Sequence, residues 1–403
     1  MKKVHLSVTN DVFTDQRVNK MARTLQSMGF AVTITGVLRP GSHQFNPAWA
    51  TIRRFPMLFQ KGFLFYAEYN VRLFFLLLFR SHDLLVSNDL DTLLPNHLAA
   101  IIKRKPLVYD THEYFTGTPE LTNRPFVRRT WKLLEKLLFP RQKTIITVNR
   151  SIAKLYENEY GKSLHVVRNL PPYNAPGESP SRQELGLPEN KDLILLQGTG
   201  INIDRGAEEL LMAMQPSHGI HNGLLLIIGG GDVLPKLKAI AEKEQLHDRV
   251  WFFDRMPYEE LFNYTRVCDI GVSIDKDTNI NYRYSLPNKL FDYIMAETPQ
   301  LVSDLPELSH IVRKYNTGVV IRSHQPGRIA AAMSSMLADK EKLKEMEAGC
   351  REAARELCWE KEEVLVREIY APFSDSSLSN DSDSNSLPPS HLKIRAGNFR
   401  KRV

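Results

Sequence analysis

Residues 284–308 read YSLPNKLFDYIMAETPQLVSDLPEL. An amphipathic helix opens at a proline, stops at a small polar turn and runs straight into a strand-like LVSD. Pro287 presets φ for a helix start and has no N–H to leave unpaired, so it suits the first turn. The free N–H groups of that turn, with the helix dipole, favour an anion. At helical spacing Leu290, Phe291 and Ile294 form the apolar side, while Asn288 and Asp292 share the other, with Lys289 beside them. A carboxylate one turn from a phosphate site can hold a ribose diol, so this pattern suits a nucleoside diphosphate. The same residues also suit an ordinary capped surface helix.

The surrounding chain repeats the alternation of strand and helix. VHLSVT is apolar and β-branched. RVNKMARTLQSMG carries Val18, Met21, Ala22, Leu25 and Met28 at helical spacing, and Gly29 stops it. AVTITGV, DLLVSND, PLVYDTHE, TIITVN and HVVRN follow as strands, with helices between most of them. Residues 171–183, PPYNAPGESPSRQ, hold four prolines and a glycine and read as a linker. LILLQ, GLLLII, RVWFFD and DIGVSI then restart the pattern. Alternation of this kind predicts parallel sheets covered on both faces. The expected architecture is α/β, with two tandem Rossmann-like doubly wound domains facing a cleft. The first spans 1–170 and the second 184–357. A last helix occupies 358–373, and a disordered Ser/Asn/Asp-rich tail occupies 374–403.

With 403 residues the chain is too long for one core and suits two domains. Its three cysteines exclude a disulfide framework and point to a reducing, cytoplasmic setting. The N-terminal MKKVHLSVTNDVF reads as a first strand rather than a signal peptide. The charge is uneven. Residues 1–170 hold 25 Lys and Arg against 12 Asp and Glu, a net of +13, and the remainder holds 28 against 34, a net of −6. A basic half suggests that the first domain faces something anionic: lipid, a phosphorylated acceptor or nucleic acid. No helix-turn-helix, finger or ribonucleoprotein signature is present, so nucleic acid is not expected. The stretch from Gly62 to Arg80 has the length of a membrane span. Glu68, Asn70 and Arg72 inside it favour a buried or membrane-surface helix instead.

Two glycine loops follow strands of the second half. GTGINIDRG places Gly198 and Gly200 where backbone can approach a ligand, with Arg205 in reach of a phosphate. GGGD places Gly230 and Gly231 after another strand. There is no GxGxxG fingerprint and no GxxxxGK[ST] loop, which disfavours NAD and P-loop chemistry.

RGAEELLMAM, IIGGGD, DRVWFFDRMPYEELFNYTRVCDIGVS and LPNKLFDYIMAETPQLVSDLPEL together resemble the C-terminal half of glycosyltransferase family 4, of GT-B fold. DQRVNKMARTLQSMGFAVTITG and VYDTHEYF resemble that family's first domain. The resemblance implies a retaining transferase that takes its sugar from a nucleoside-diphosphate donor. It implies that Arg205 holds the diphosphate and Asp292 the ribose, and that Arg255 and Met256 lie in the base-contacting loop. Gly230 and Gly231 would lie near the nucleotide, and His112 near the sugar and acceptor.

Three departures stand out. Tyr284 occupies the first position of the family's Glu, seven residues, Glu pattern, and Asp292 the second. GTGIN replaces a common Gly-Arg pair, and TNDVFTDQR replaces a glycine pair after the first strand. Arg205, Lys289 and the amides of the Pro287 helix are expected to stabilise the departing diphosphate without a metal or other cofactor. The pair Asp89 and Asp91 resembles a metal site but has no third ligand nearby in sequence. Asp110 and Glu113 flank His112, where either could act on an acceptor hydroxyl or anchor the loop. A lipid-linked or growing glycan acceptor is expected. So is peripheral contact with the inner face of the cell membrane, with phosphates near Lys103, Arg104 and Lys105. A sugar-nucleotide epimerase of the same fold and a non-catalytic sugar-nucleotide-binding subunit remain alternatives.

Overall fold

The structure, a computed structural model, describes residues 1–374 apart from 123, 175, 176 and 178. The expected tail therefore lies outside the described residues, except for Ser374. Strand-forming runs such as VHLS and LILLQ are buried on both faces, as an all-parallel sheet clad by helices requires. The first sheet holds β1 (Lys3–Ser7), β2 (Ala31–Leu38), β3 (Thr51–Pro56), β4 (Leu84–Asn88), β5 (Leu107–Thr111), β6 (Thr144–Thr147) and β7 (His165–Val166). Their order is β3-β2-β1-β4-β5-β6-β7, all parallel, and Leu6 pairs with Ile34 on one side and Val86 on the other. The second sheet holds β8 (Asp192–Gly198), β9 (Gly223–Gly229), β10 (Val250–Phe253), β11 (Ile270–Ser273), β12 (Gln300–Ser303) and β13 (Gly318–Ile321), ordered β10-β9-β8-β11-β12-β13.

Each order reverses once, between β1 and β4 and between β8 and β11. Ligands of open parallel sheets bind beyond the carboxyl ends of strands at such switch points. Strand β3 was not foreseen: TIRRFP has too little apolar alternation to read as a strand. It is an edge strand, and its burial is only partial.

Each sheet is sandwiched by its own cores. Leu195, Leu225 and Ile227 in the second domain are fully buried, as are Leu6, Ile34 and Leu25 in the first. Burial of one such side chain contributes roughly 1.5–3 kcal/mol. The last helix, Trp359–Tyr370, returns to the first domain, where Trp359, Val366 and Tyr370 join its core. Trp359 N donates to Pro171 O at 2.7 Å, so the chain's two passages between domains run side by side. Arg168, beside the first passage, grips the buried Glu362 through Nε at 2.8 Å and Nη2 at 2.6 Å.

Candidate active site

At the β8/β11 switch point the loop after β11 carries Asp275, which has no exposed surface. Arg205, on the loop after β8, donates from Nη1 to Asp275 Oδ2 at 2.8 Å and stacks over Tyr282, 4.4 Å from the ring centre. Lys289 Nζ approaches Asp275 Oδ1 at 3.6 Å. Burial opposes the charge on both cations. For Arg205 the pull of Asp275 wins and the pKa is raised; for Lys289 burial wins and it is lowered. One carboxylate thus orients two cations and leaves a net positive charge. Arg205 Nε and Asp275 Oδ1 are buried without a hydrogen-bond partner in the chain, so each keeps bonding capacity for water or a ligand. Gly206 allows this approach. Its φ is +74°, and a Cβ there would lie 2.3 Å from Ile274 O.

The helix that opened the sequence reading runs Asn288–Met295, with Pro287 as its N-cap rather than in its first turn. Its rotation is set by Tyr293, which is fully buried across Gly271 and donates to Leu195 O at 3.1 Å and Val272 O at 3.2 Å. Asn288 Oδ1 accepts from Asn169 of the first domain at 3.1 Å. Asp292 accepts from Gln197 Nε2 at 3.1 Å and Tyr258 OH at 3.2 Å. Burial pushes its pKa up to about 6, against these bonds and the charge of Lys20 from the first domain. A carboxylate with two polar supports and a raised pKa is a hallmark of functional sites.

The glycine loops pack chiefly on one another. Gly229 has φ +138° and lies against Gly198, whose own φ is +152°; Gly230 N donates to Gly198 O at 3.0 Å. A Cβ on Gly231 would meet Ile201 O at 2.0 Å, and one on Gly230 the Arg255 guanidinium at 2.1 Å. Arg255 donates to Thr199 O at 3.0 Å and so bridges the two loops. At Gly200 the nearest heavy atom to an added Cβ is the Asn202 side chain at 3.7 Å, so no close approach requires a glycine there. Met256 packs against the core rather than standing clear of it.

Across the cleft, His112 Nδ1 lies 3.3 Å from Asp89 Oδ2, and its buried Nε2 makes no hydrogen bond, Asp110 being 3.7 Å away. Burial opposes protonation, but Asp89 and Asp110 outweigh it and raise the pKa to about 9. Asp89 holds its loop with φ +60° and ψ 169°, a region essentially reserved for glycine and concentrated at functional sites. Asp110 has no surface and is gripped by Arg17 through Nε at 3.1 Å and Nη2 at 2.7 Å. It anchors the loop; it is not free to take a proton from an acceptor. Asp91 turns to Thr9, accepting at 2.5 Å, while Asp89 faces His112. Glu113 accepts from Asn281 Nδ2 at 3.2 Å, and Tyr114 N donates to Asn281 Oδ1 at 3.0 Å. That asparagine ties the His112 loop to the segment carrying Tyr282 and Tyr284. Tyr284 O accepts from Asn149 Nδ2 at 2.7 Å, so the departing position contributes to the domain contact.

The structure therefore gathers Arg205, Lys289, Asp292 and the helix start on one wall of the cleft, with His112 opposite. Sequence reasoning missed Asp275, Gln197, Tyr258 and Lys20. Asp275 had the best available signal, an acid at a strand's carboxyl end.

The family model for group 1 glycosyl transferases matches residues 178–356, and that for glycosyltransferase family 4 matches residues 15–170. Among curated proteins, the chain is 25% identical over 209 residues to a D-inositol 3-phosphate glycosyltransferase of Xylanimonas cellulosilytica, covering 50% of this chain and 47% of that one. A namesake from Nocardia farcinica is 26% identical over 204 residues, covering 46% and 43%. The matches span about half the length of these relatives. Sucrose-phosphate synthase from Thermosynechococcus elongatus superposes with a TM-score of 0.75 at 16% identity, over 92% of this chain and 99% of that one. WaaG, a glycosyltransferase involved in lipopolysaccharide biosynthesis, gives 0.68 at 16% over 91% and 99%. Anabaena Alr3699/HepE, solved in complex with UDP-glucose, gives 0.69 at 14% over 93% and 100%. With a family 4 domain joined to a group 1 domain in the GT-B arrangement, the chain belongs to the family 4 glycosyltransferases.

Proposed function

We propose that the protein transfers a sugar from a nucleoside-diphosphate donor to a hydroxyl of a lipid-linked or glycan acceptor, with retention, in cell-surface glycan synthesis. The observation that carries this is Asp275 holding Arg205 and Lys289 together and leaving one positive charge in excess. The bond from the sugar's anomeric carbon to the diphosphate oxygen breaks, and a bond to the acceptor oxygen forms. The departing diphosphate takes the electron pair of the broken bond as extra negative charge and then takes up the acceptor's proton. Arg205, Lys289 and the amides of the Asn288 helix are aimed at that charge before it develops, so a metal is not needed to compensate it. Asp292, set one turn further on, accepts from the ribose hydroxyls. His112, a cation opposite this wall, hydrogen-bonds the sugar through its unused Nε2. Related folds solved with UDP and UDP-glucose support a uridine donor.

The test is a thermal-shift screen with UDP, GDP, ADP, CMP and their common sugar conjugates on the native chain and Asp292→Ala. One nucleoside diphosphate is expected to raise Tm by linkage and to lose its effect in the variant. Absence of any shift would overturn the donor site. Turnover of the bound donor that persists in EDTA once an acceptor is added supports metal-independent transfer. Donor binding without turnover on any acceptor would favour the non-catalytic alternative.

A further inference from the structure

The helix Gly62–Phe79 is long and apolar enough to cross a membrane, yet it lies flat on the first sheet. Phe65, Tyr69, Leu73 and Leu77 face inward and are buried, and the Tyr69 hydroxyl donates to Val8 O at 2.7 Å. A helix that is apolar all round belongs in a core or in lipid. Here the opposite stripe, with Leu64, Val71, Phe75 and Phe79, faces out, and Phe79 is 79% exposed.

This stripe is not isolated. The helix Leu93–Lys103 packs beside it and ends with Ile101 and Ile102 exposed. The helix Pro125–Leu138 adds Phe126, Leu133 and Leu137 on its outer side, with Phe126 80% exposed. Tyr66 and Trp131 join the first and third helices, ring centres 5.2 Å apart.

Among the described residues, the charges that these three helices turn outward have one sign, and the nearby Asp83 is paired with Lys105 at 3.1 Å. The carboxylate of Glu68 is turned onto Leu58 N and Phe59 N and onto Arg72. Glu135 of the third helix points inward and is fully buried. Arg80, Arg104, Arg129 and Lys136 stand exposed around the apolar stripes. Lys103 and Lys105, expected from the sequence to meet phosphates, are engaged instead, the former with Leu77 O and Arg80 O and the latter with Asp83.

We infer that this three-helix face is a docking surface for an anionic lipid bilayer, into whose headgroup–acyl boundary the aromatic and aliphatic stripes insert while the arginines meet lipid phosphates. Apolar stripes flanked by cations, with no outward carboxylate among the described residues of the three helices, match that boundary on both counts. The face also adjoins the cleft: Phe115, on the loop after β5 that carries His112, packs on Trp131 at 5.2 Å. A lipid-linked acceptor would then present its head to the cleft from the membrane side. That last point rests on the acceptor reading above; the docking surface does not.

The experiment is flotation of the full chain with phosphatidylcholine vesicles, with and without phosphatidylglycerol, in the absence of donor and acceptor. The native chain is expected to float with the anionic vesicles and to be released by salt. Phe75→Ser/Phe79→Ser/Phe126→Ser and Arg80→Glu/Arg104→Glu/Arg129→Glu should each lower the bound fraction at least about tenfold, with Tm and donor-induced Tm shift unchanged. Val364→Ser, at an exposed site on the last helix, should bind as the native chain does. No flotation, or binding indifferent to both triple variants, would overturn the proposal. So would a dimer in light scattering that the aromatic variant dissolves, since a second copy would then cover the face. None of these outcomes touches donor binding, which is read separately.

Discussion

Arg205 and Lys289 reach the two oxygens of a single buried carboxylate, Asp275, at 2.8 and 3.6 Å. Neither cation is placed by its own neighbours in sequence. Their common aim depends on a residue 70 positions from one and 14 from the other.

Asp275→Asn should therefore release both cations. Removing one member of a buried ion pair can cost about 3–5 kcal/mol, but these cations keep some contact with water, so a loss of about 1–3 kcal/mol is expected by urea unfolding. Turnover should fall about 10²-fold because the charges lose their aim. Arg205→Ala and Lys289→Ala should each lower kcat about 10²–10³-fold with smaller effects on stability. Steady-state kinetics with the donor identified by thermal shift checks both.

His112 gives a pH signature. Its folded pKa of about 9 stands above the ordinary 6.5. The stability it contributes is fully present below pH 6.5 and is lost as pH rises through 9. His112→Gln should thus cost on the order of 2–3 kcal/mol near pH 6 and little at pH 10. Chemical denaturation of both proteins across that range measures the difference. A constant difference would mean that His112 is not charged in the fold.

Asp292 has the same direction of pH dependence in a lower window, but its substitution should act in the opposite sense. Its folded pKa of about 6 lies above the ordinary 3.8, so stability present below pH 3.8 is lost as pH rises through 6. At pH 7.5 the ionised group is a burden. Asp292→Asn should raise stability there by roughly 1–2 kcal/mol, while abolishing the donor-induced Tm shift. Melts at pH 5 and 7.5, with and without nucleotide, test both halves.

Two glycines separate packing from permissiveness. Gly206→Ala forces an L side chain to φ +74° and a Cβ to within 2.3 Å of Ile274 O. It should destabilise by about 2 kcal/mol or more and displace Arg205. Gly200→Ala meets ordinary van der Waals contact at 3.7 Å and should stay within about 0.5 kcal/mol of the native chain. Tm of the two variants decides it.

Much of this site was legible beforehand. Arg205 and His112 follow strands, Lys289 lies in the first turn of a helix and Asp292 one turn further on, and those are positions that local patterning marks. The glycine loops were visible too, and what only the fold adds is that Gly229, Gly230 and Gly231 let two loops lie against each other and against Arg255. From the sequence Asp110 could either act on an acceptor hydroxyl or anchor its loop, and Arg17, 93 residues away in sequence, makes it an anchor. Strand β3 escaped because an edge strand needs little apolar patterning.

The chain's alternation of buried strands and amphipathic helices, its glycine loops at strand ends and its Pro-Asn-Lys helix were determined by the sequence alone, because periodicity and backbone freedom act over a few neighbouring residues. Tertiary structure alone decided which charges share a carboxylate and which acid is gripped by an arginine. It also set the last helix back on the first domain and placed three apolar stripes side by side. Those relations join residues far apart in the chain, and their energies depend on burial, which arises only when the two sheets and their helices have packed.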